Sequence, residues 1–79
     1  MSDSYRFIVD IKWLEDTYSA NVRGLGVIAY SPDKDELMEM VRAAAAQVLT
    51  EIKGNGAVPN AVPADFAVPD GTVSITLTA

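Results

Sequence analysis

An α+β fold is what this 79-residue sequence predicts, specifically a two-layer sandwich with a mainly antiparallel sheet and one long helix on one face. Three observations predict it. Two period-two runs near the start, separated by a short acidic break, read as paired strands; an amphipathic stretch with a start signal before it and glycines after it reads as one helix; and a last alternating run closes the chain. A short apolar run before the helix adds one more strand, so the order is β-β-β-α-β. The length suits a single domain over residues 1–79 with one core, and is too short for a separate catalytic or DNA-binding module beside it.

The first strand, about 5–13, puts Tyr5, Phe7, Val9, Ile11 and Trp13 on one face and Arg6, Ile8, Asp10 and Lys12 on the other, which is the pattern of a half-buried strand. Leu14-Glu15-Asp16 is a break short enough for a hairpin. Tyr18, Ala20 and Val22 then alternate with Thr17, Ser19, Asn21 and Arg23 in a second antiparallel strand, about 17–23. Gly24-Leu25-Gly26 interrupts with a bulge or tight bend, since glycine takes positive φ without steric cost. The third strand, about 26–30, resumes with Val27-Ile28-Ala29-Tyr30.

Ser31-Pro32-Asp33 carries redundant helix-start signals: proline is tolerated in a first turn, and Asp33 with Glu36 forms an Asp-type capping box. The helix is expected over about 33–53. Leu37, Val41, Ala44, Ala45, Val48, Leu49 and Ile52 form its buried stripe, flanked by Met38 and Met40, while Lys34, Asp35, Glu39, Arg42, Gln47 and Glu51 look outward. The alanines at 43–46 raise helix propensity and allow close approach to a sheet. Gly54-Asn55-Gly56 ends the helix through positive φ.

The proline-rich connection, 54–71, includes Val-Pro three times, at Val58-Pro59, Val62-Pro63 and Val68-Pro69, each favouring extended backbone before the proline. It is too long for a turn and is either an extended crossover lying on the domain or a mobile arm, with Phe66 and the valines as material to bury. After Asp70-Gly71 the fourth strand, 72–78 and on to Ala79, alternates Val73, Ile75 and Leu77 with Thr72, Ser74, Thr76 and Thr78. Its pairing direction is open. Its threonine-rich face makes it an expected exposed edge where another chain can add.

Composition excludes more than it assigns. There is no cysteine and no histidine, which removes disulfides, Cys/His zinc sites, Ser-His-Asp and Cys-His catalysis, and a histidine base. Net charge is −5, and Arg6, Lys12, Arg23, Lys34, Arg42 and Lys53 are scattered singly; direct nucleic-acid binding, which needs concentrated positive charge, is disfavoured. An acidic domain suits a basic partner. No apolar run reaches the roughly 20 residues of a membrane span, and the start MSDSYRF lacks the features of a secretory signal. A cytoplasmic protein is expected, without a membrane role.

No catalytic, cofactor-binding or metal-binding residue is assigned. Asp10, Glu15, Asp16, Asp33, Asp35 and Glu36 are the carboxylates that come into question, but Asp33 and Glu36 are explained by capping and Glu15 and Asp16 by the hairpin turn. Gly24-Leu25-Gly26 lacks the longer glycine pattern of a phosphate loop and does not open the helix. Trp13, Tyr18 and Tyr30 could stack single-stranded RNA, but an acidic chain favours packing for them, and Met38 and Met40 read as packing residues too.

The strand order and the passage Gly26-Val27-Ile28-Ala29-Tyr30-Ser31-Pro32-Asp33-Lys34-Asp35-Glu36-Leu37 resemble the HicB antitoxin family and its short relatives of unassigned function. That family follows an early hairpin with a glycine-containing stretch and Gly-Asp-Thr-x-x-Glu-Ala/Leu opening the helix. Gly26 matches the glycine, Asp33 the capping threonine, and Glu36-Leu37 the pair after it; Leu25 and Ser31 stand where the family has proline and a second glycine. The likeness covers about residues 5–53. It implies a partly trimmed ribonuclease H-like fold used without catalysis, binding a small basic mRNA-cleaving toxin and covering its active site. No operator-binding tail is expected after Ala79.

The expected function is therefore a non-enzymatic protein-binding module, an antitoxin-like inhibitor of a small basic toxin ribonuclease. The alternatives are a self-assembling or scaffold domain with edge-strand pairing and, third, an RNA-binding platform. A homo-oligomer is expected under each of them, with Phe66 or Thr72–Thr78 at the contact.

Overall fold

The computed structural model describes residues 3–78; Met1, Ser2 and Ala79, which bound the N-terminal and fourth-strand readings, lie outside the described residues. The elements are β1 (Ser4–Leu14), β2 (Thr17–Val22), β3 (Val27–Ser31), α1 (Lys34–Gly54) and β4 (Thr72–Thr78). Each predicted element is present, with ends that differ by a residue at most. The strands form one antiparallel sheet in the order β3-β2-β1-β4, so the fold is α+β as expected.

The direction of β4, open in the sequence, is antiparallel to β1, with Ser4 opposite Thr78 and Asp10 opposite Thr72. The helix ends beside the start of β1, where Lys53 Nζ lies 2.9 Å from the Tyr5 hydroxyl and 3.2 Å from Asp3 Oδ2. A strand begun at once from there would run parallel to β1. The connection instead carries the chain back along the sheet before β4 descends.

Alternation fills the core. Phe7, Val9, Ala20, Val22, Val27, Ala29, Ile75 and Leu77 of the sheet share one buried cluster with Leu37, Val41, Ala45 and Leu49 of α1, the i, i+4 stripe of an amphipathic helix. Met38, Ala44 and Val48 pack against it, as does Tyr18. Trp13, on the same face by period, stays 55% exposed, because α1 crosses from β3 toward the start of β1 and leaves the far corner of β1 uncovered.

Asp33 caps the helix as read, its Oδ1 accepting from the backbone N–H of Asp35 at 2.9 Å and of Glu36 at 3.3 Å. The reciprocal half of the capping box is different: the Asp33 N–H donates to Ser31 Oγ at 3.2 Å rather than to Glu36. Ser31, buried at the end of β3, lies nearer than a glutamate that solvent holds outward. At the other end Asn55, Gly56 and Ala57 donate to carbonyls of Glu51, Lys53 and Ile52, and Gly56 carries the positive φ of 75°.

The segment 57–71 is an ordered crossover, one of the two forms expected of it. It passes the β2–β3 turn at Asn60, packs Ala61 against the helix-side core, forms an antiparallel bridge from Val62 to Arg6, and beyond it comes within reach of the Arg6 side chain on the sheet face away from the helix. Burial of its own apolar groups does less than the sequence suggests: Val58 is 90% exposed, and Phe66 and Val68 are also exposed. Polar contacts hold it. The Val62 N–H donates to the Arg6 carbonyl at 2.8 Å, and the Arg6 guanidinium donates to the carbonyls of Ala64 at 2.8 Å and Phe66 at 2.9 Å. Prolines keep this stretch extended and remove its own donors, leaving carbonyls for an arginine to collect.

Candidate functional site

The sheet face opposite the helix divides in two. Toward the start of β1 the 57–71 crossover, hereafter the strap, is held to it by Arg6, and Ile8 there is 0% exposed while standing outside the helix-side core. Toward the end of β1 the face is bare. Register sets out its rows: Leu14 beside Thr17, then Lys12, Ser19 and Tyr30, then Asp10, Asn21 and Ile28. These last two rows line an open concavity of about 390 Å³. Ile28 is 61% and Tyr30 57% exposed, unusual for large side chains on a strand, and both project from β3, which has a neighbour on one side only.

The charges of the bare face are largely committed. Arg23 grips Asp10 through both carboxylate oxygens, Nε to Oδ2 and the terminal nitrogen to Oδ1, each at 2.7 Å. Those hydrogen bonds hold the Asp10 carboxyl below the ordinary aspartate range and the guanidinium above its own, with the nearby charge acting in the same sense. Asp10 is thus a fixed anion, unsuited to shuttling protons near neutral pH. The remaining candidate carboxylates do not converge with it. Glu15 and Asp16 form the β1–β2 turn, Asp33 caps α1, and Asp35 and Glu36 are exposed in its first turn. Among the described residues no group of three or more acidic, histidine or cysteine side chains could hold a metal ion.

Those turn and helix-start carboxylates nevertheless share one end of the molecule. Leu14 pairs with Thr17 and Tyr18 with Ser31, so the Glu15-Asp16 turn and the Pro32-Asp33 connection lie at the same end of the sheet. Trp13 and Leu14, both exposed, stand there too. The aromatic platform fares otherwise. Trp13 and Tyr18 form an edge-on pair, centroids 4.6 Å apart at 63°, on the helix side, whereas Tyr30 stands on the other face. The three do not make one stacking surface. Gly24 and Gly26 take positive φ, 89° and 69°, in the β2–β3 turn, and Gly24 abuts the Asn60 carbonyl; they bend the chain and serve the strap.

Sequence reasoning missed Arg6 as the anchor of the strap, and nothing local to Arg6 signals a contact nearly sixty positions away. It also left Ile28 unremarked, although its alternation with Val27 and Ala29 already placed it with Tyr30 on the outer face. No protein-family model, curated protein or solved structure matches the chain. What geometry alone defines is a compact α+β domain with a half-strapped sheet; among the described residues no helix is long and apolar enough to cross a membrane.

Proposed function

We propose that this chain is a non-catalytic protein-binding module, an antitoxin-like inhibitor that occludes a small basic mRNA-cleaving toxin in the cytoplasm. The observation that supports this most is the pairing of exposed Trp13 and Leu14 with the carboxylates of Glu15, Asp16, Asp33, Asp35 and Glu36 at one end of the domain. Aromatic and aliphatic anchors within a charged rim are what a protein interface requires, and the sign of the rim selects a basic partner. The HicB resemblance adds the class of that partner. The test is co-purification of the tagged chain from its host, followed by an RNA-cleavage assay of any stoichiometric companion. A small basic nuclease silenced by adding the chain is expected. Recovery of the chain alone, or of a companion whose cleavage it leaves unchanged, counts against the reading.

A second reading, self-assembly, has its own support at the opposite edge. Strand β4 has one neighbour and contains no charged residue from Thr72 to Thr78, so two copies can pair there without like charges meeting. Sedimentation velocity over a wide concentration range tests it: a mass that stays monomeric throughout counts against pairing.

A further inference from the structure

The two free edges of the sheet differ in chemistry, and the difference bears on how a basic partner is held. We infer that the free edge of β3 receives an extended segment of the basic partner as an added strand, with apolar side chains at alternate positions on Ile28 and Tyr30 and lysine or arginine side chains reaching Asp35 and Glu36. The inference rests on the basic-partner reading and adds the place and form of contact.

Strand β3 lies outermost in the order β3-β2-β1-β4, leaving a row of backbone groups for a further strand. Neither proline nor charge interrupts Val27–Ser31, and the strap crosses the other half of the face, so neither of these common edge defences is present. Ile28 and Tyr30 project side by side from this edge as the outer wall of the 390 Å³ concavity. Side chains at alternate positions of an added strand fall beside them, because neighbouring strands keep the same period of two.

Charge selects the occupant. The strand leads through Pro32 into Asp33, Lys34, Asp35 and Glu36, where three carboxylates outnumber the one ammonium. Asp33 spends Oδ1 on the helix cap, but the salt bridges among the described residues, Arg23–Asp10 and Lys53–Asp3, use none of these three carboxylates. A cationic strand therefore meets uncommitted anions at the end of a neutral, apolar edge. A second copy of a chain with net charge −5 brings more negative charge to the same place. The β4 edge offers Thr72, Ser74, Thr76 and Thr78 on its outer face, without exposed large apolar groups. Strand addition of this kind draws affinity from main-chain hydrogen bonds and specificity from alternate side chains.

The test uses the full chain, labelled for amide NMR and titrated at low salt with a blocked synthetic peptide of alternating lysine and valine, about ten residues long, and with its glutamate-for-lysine counterpart. Shifts centred on the amides of Val27–Ser31 are expected with the lysine peptide. Binding should fall about tenfold or more for the glutamate peptide and for the D35K/E36K variant, whose fold is checked by its unshifted core amides. Lysine-peptide shifts confined to Trp13 and Leu14 overturn the edge inference while leaving the basic-partner reading standing. Shifts along Thr72–Thr78, or equal binding of both peptides, overturn it as well. No shift anywhere counts against both readings, and concentration-dependent β3 shifts without peptide assign the edge to a second copy instead.

Discussion

Ile8 and Ile28 occupy the same face of one sheet and meet opposite fates: the first is fully buried and the second is 61% exposed. Both are β-branched residues at strand positions, so local propensity does not separate them. What separates them is the strap. Residues 62–66 are held against the half of the face near Arg6, and the crossover takes no part in lining the β1–β2–β3 rows that hold Asp10, Lys12, Ile28 and Tyr30. On one half of the face Ile8 is sealed from solvent, and on the other Ile28 and Tyr30 stand exposed among Asp10, Lys12, Ser19 and Asn21. A domain that already has the means to cover this face, and covers only half, leaves the rest available for a partner.

The sharpest way to break the comparison is to truncate the two isoleucines in turn. Ile8→Ala removes fully buried methyl groups and should destabilise the domain by about 2–4 kcal/mol. Ile28→Ala, the same chemical change on the same face, should fall within about 0.5 kcal/mol of the parent. Urea denaturation of the pair measures both. Equal costs would mean that the bare half is as closed as the strapped half, and would remove the candidate surface.

Gly24→Ala comes next in size. At φ of 89° an L-residue costs about 1–2 kcal/mol, and the added methyl would run into the Asn60 carbonyl oxygen. Because the collision is with strap backbone, the strap has to shift, and protease nicking within 57–71 should accelerate along with the drop in stability. Gly26→Ala, also at positive φ but with open space around its Cβ position, should carry the backbone cost without the nicking. That contrast separates turn strain from strap displacement.

Arg6→Met retains much of the side chain's apolar stem and removes the guanidinium that collects the Ala64 and Phe66 carbonyls. A loss of about 1 kcal/mol is expected, since these contacts are partly open to water. The informative readout is local: amide exchange should quicken from 62 to 66 and stay unchanged in the β2–β3 hairpin. If exchange in the strap does not change, the Val62 bridge and the prolines hold it unaided.

How much of this division was legible in the sequence can be judged residue by residue. The centre of the helix-side core was legible, because Phe7, Val9, Ala20, Val22 and the Leu37-Val41-Ala45-Leu49 stripe follow periods of two and three-to-four that burial imposes locally. The same periods also marked Trp13, which stays exposed, and Ala44, Val48 and Ile52, which are only partly buried. The Asp33 cap was legible for the same reason, while its second partner was not: Ser31 displaced Glu36 through a tertiary burial that no spacing encodes. The strap was visible as a proline-rich stretch, but its attachment depends on Arg6, far away in sequence, and on carbonyls that every residue possesses. Backbone acceptors leave no mark in composition. The bare half, by contrast, was there to be read in the alternation of Ile28 and Tyr30; the period gave the faces, and only the topology could show which face stayed uncovered.

The smallest expected effect concerns the ion pair that stands at the boundary between the two halves. Arg23 hydrogen bonds hold the Asp10 carboxyl below its ordinary range, so the folded state binds that proton less readily than the unfolded chain does. The stabilisation is therefore present above the unfolded aspartate value and is lost as pH falls through the lower folded value. Both groups are substantially open to solvent, Arg23 at 49% and Asp10 at 31% of their side chains, and screening keeps the contribution small. Asp10→Asn should lower the melting temperature slightly at neutral pH, and the gap to the parent should close in acid below the aspartate range. A gap of the same size at both ends of that titration would show that Asp10 acts through shape and hydrogen bonding in the concavity floor rather than through its charge, and the boundary of the bare half would then owe nothing to the ion pair.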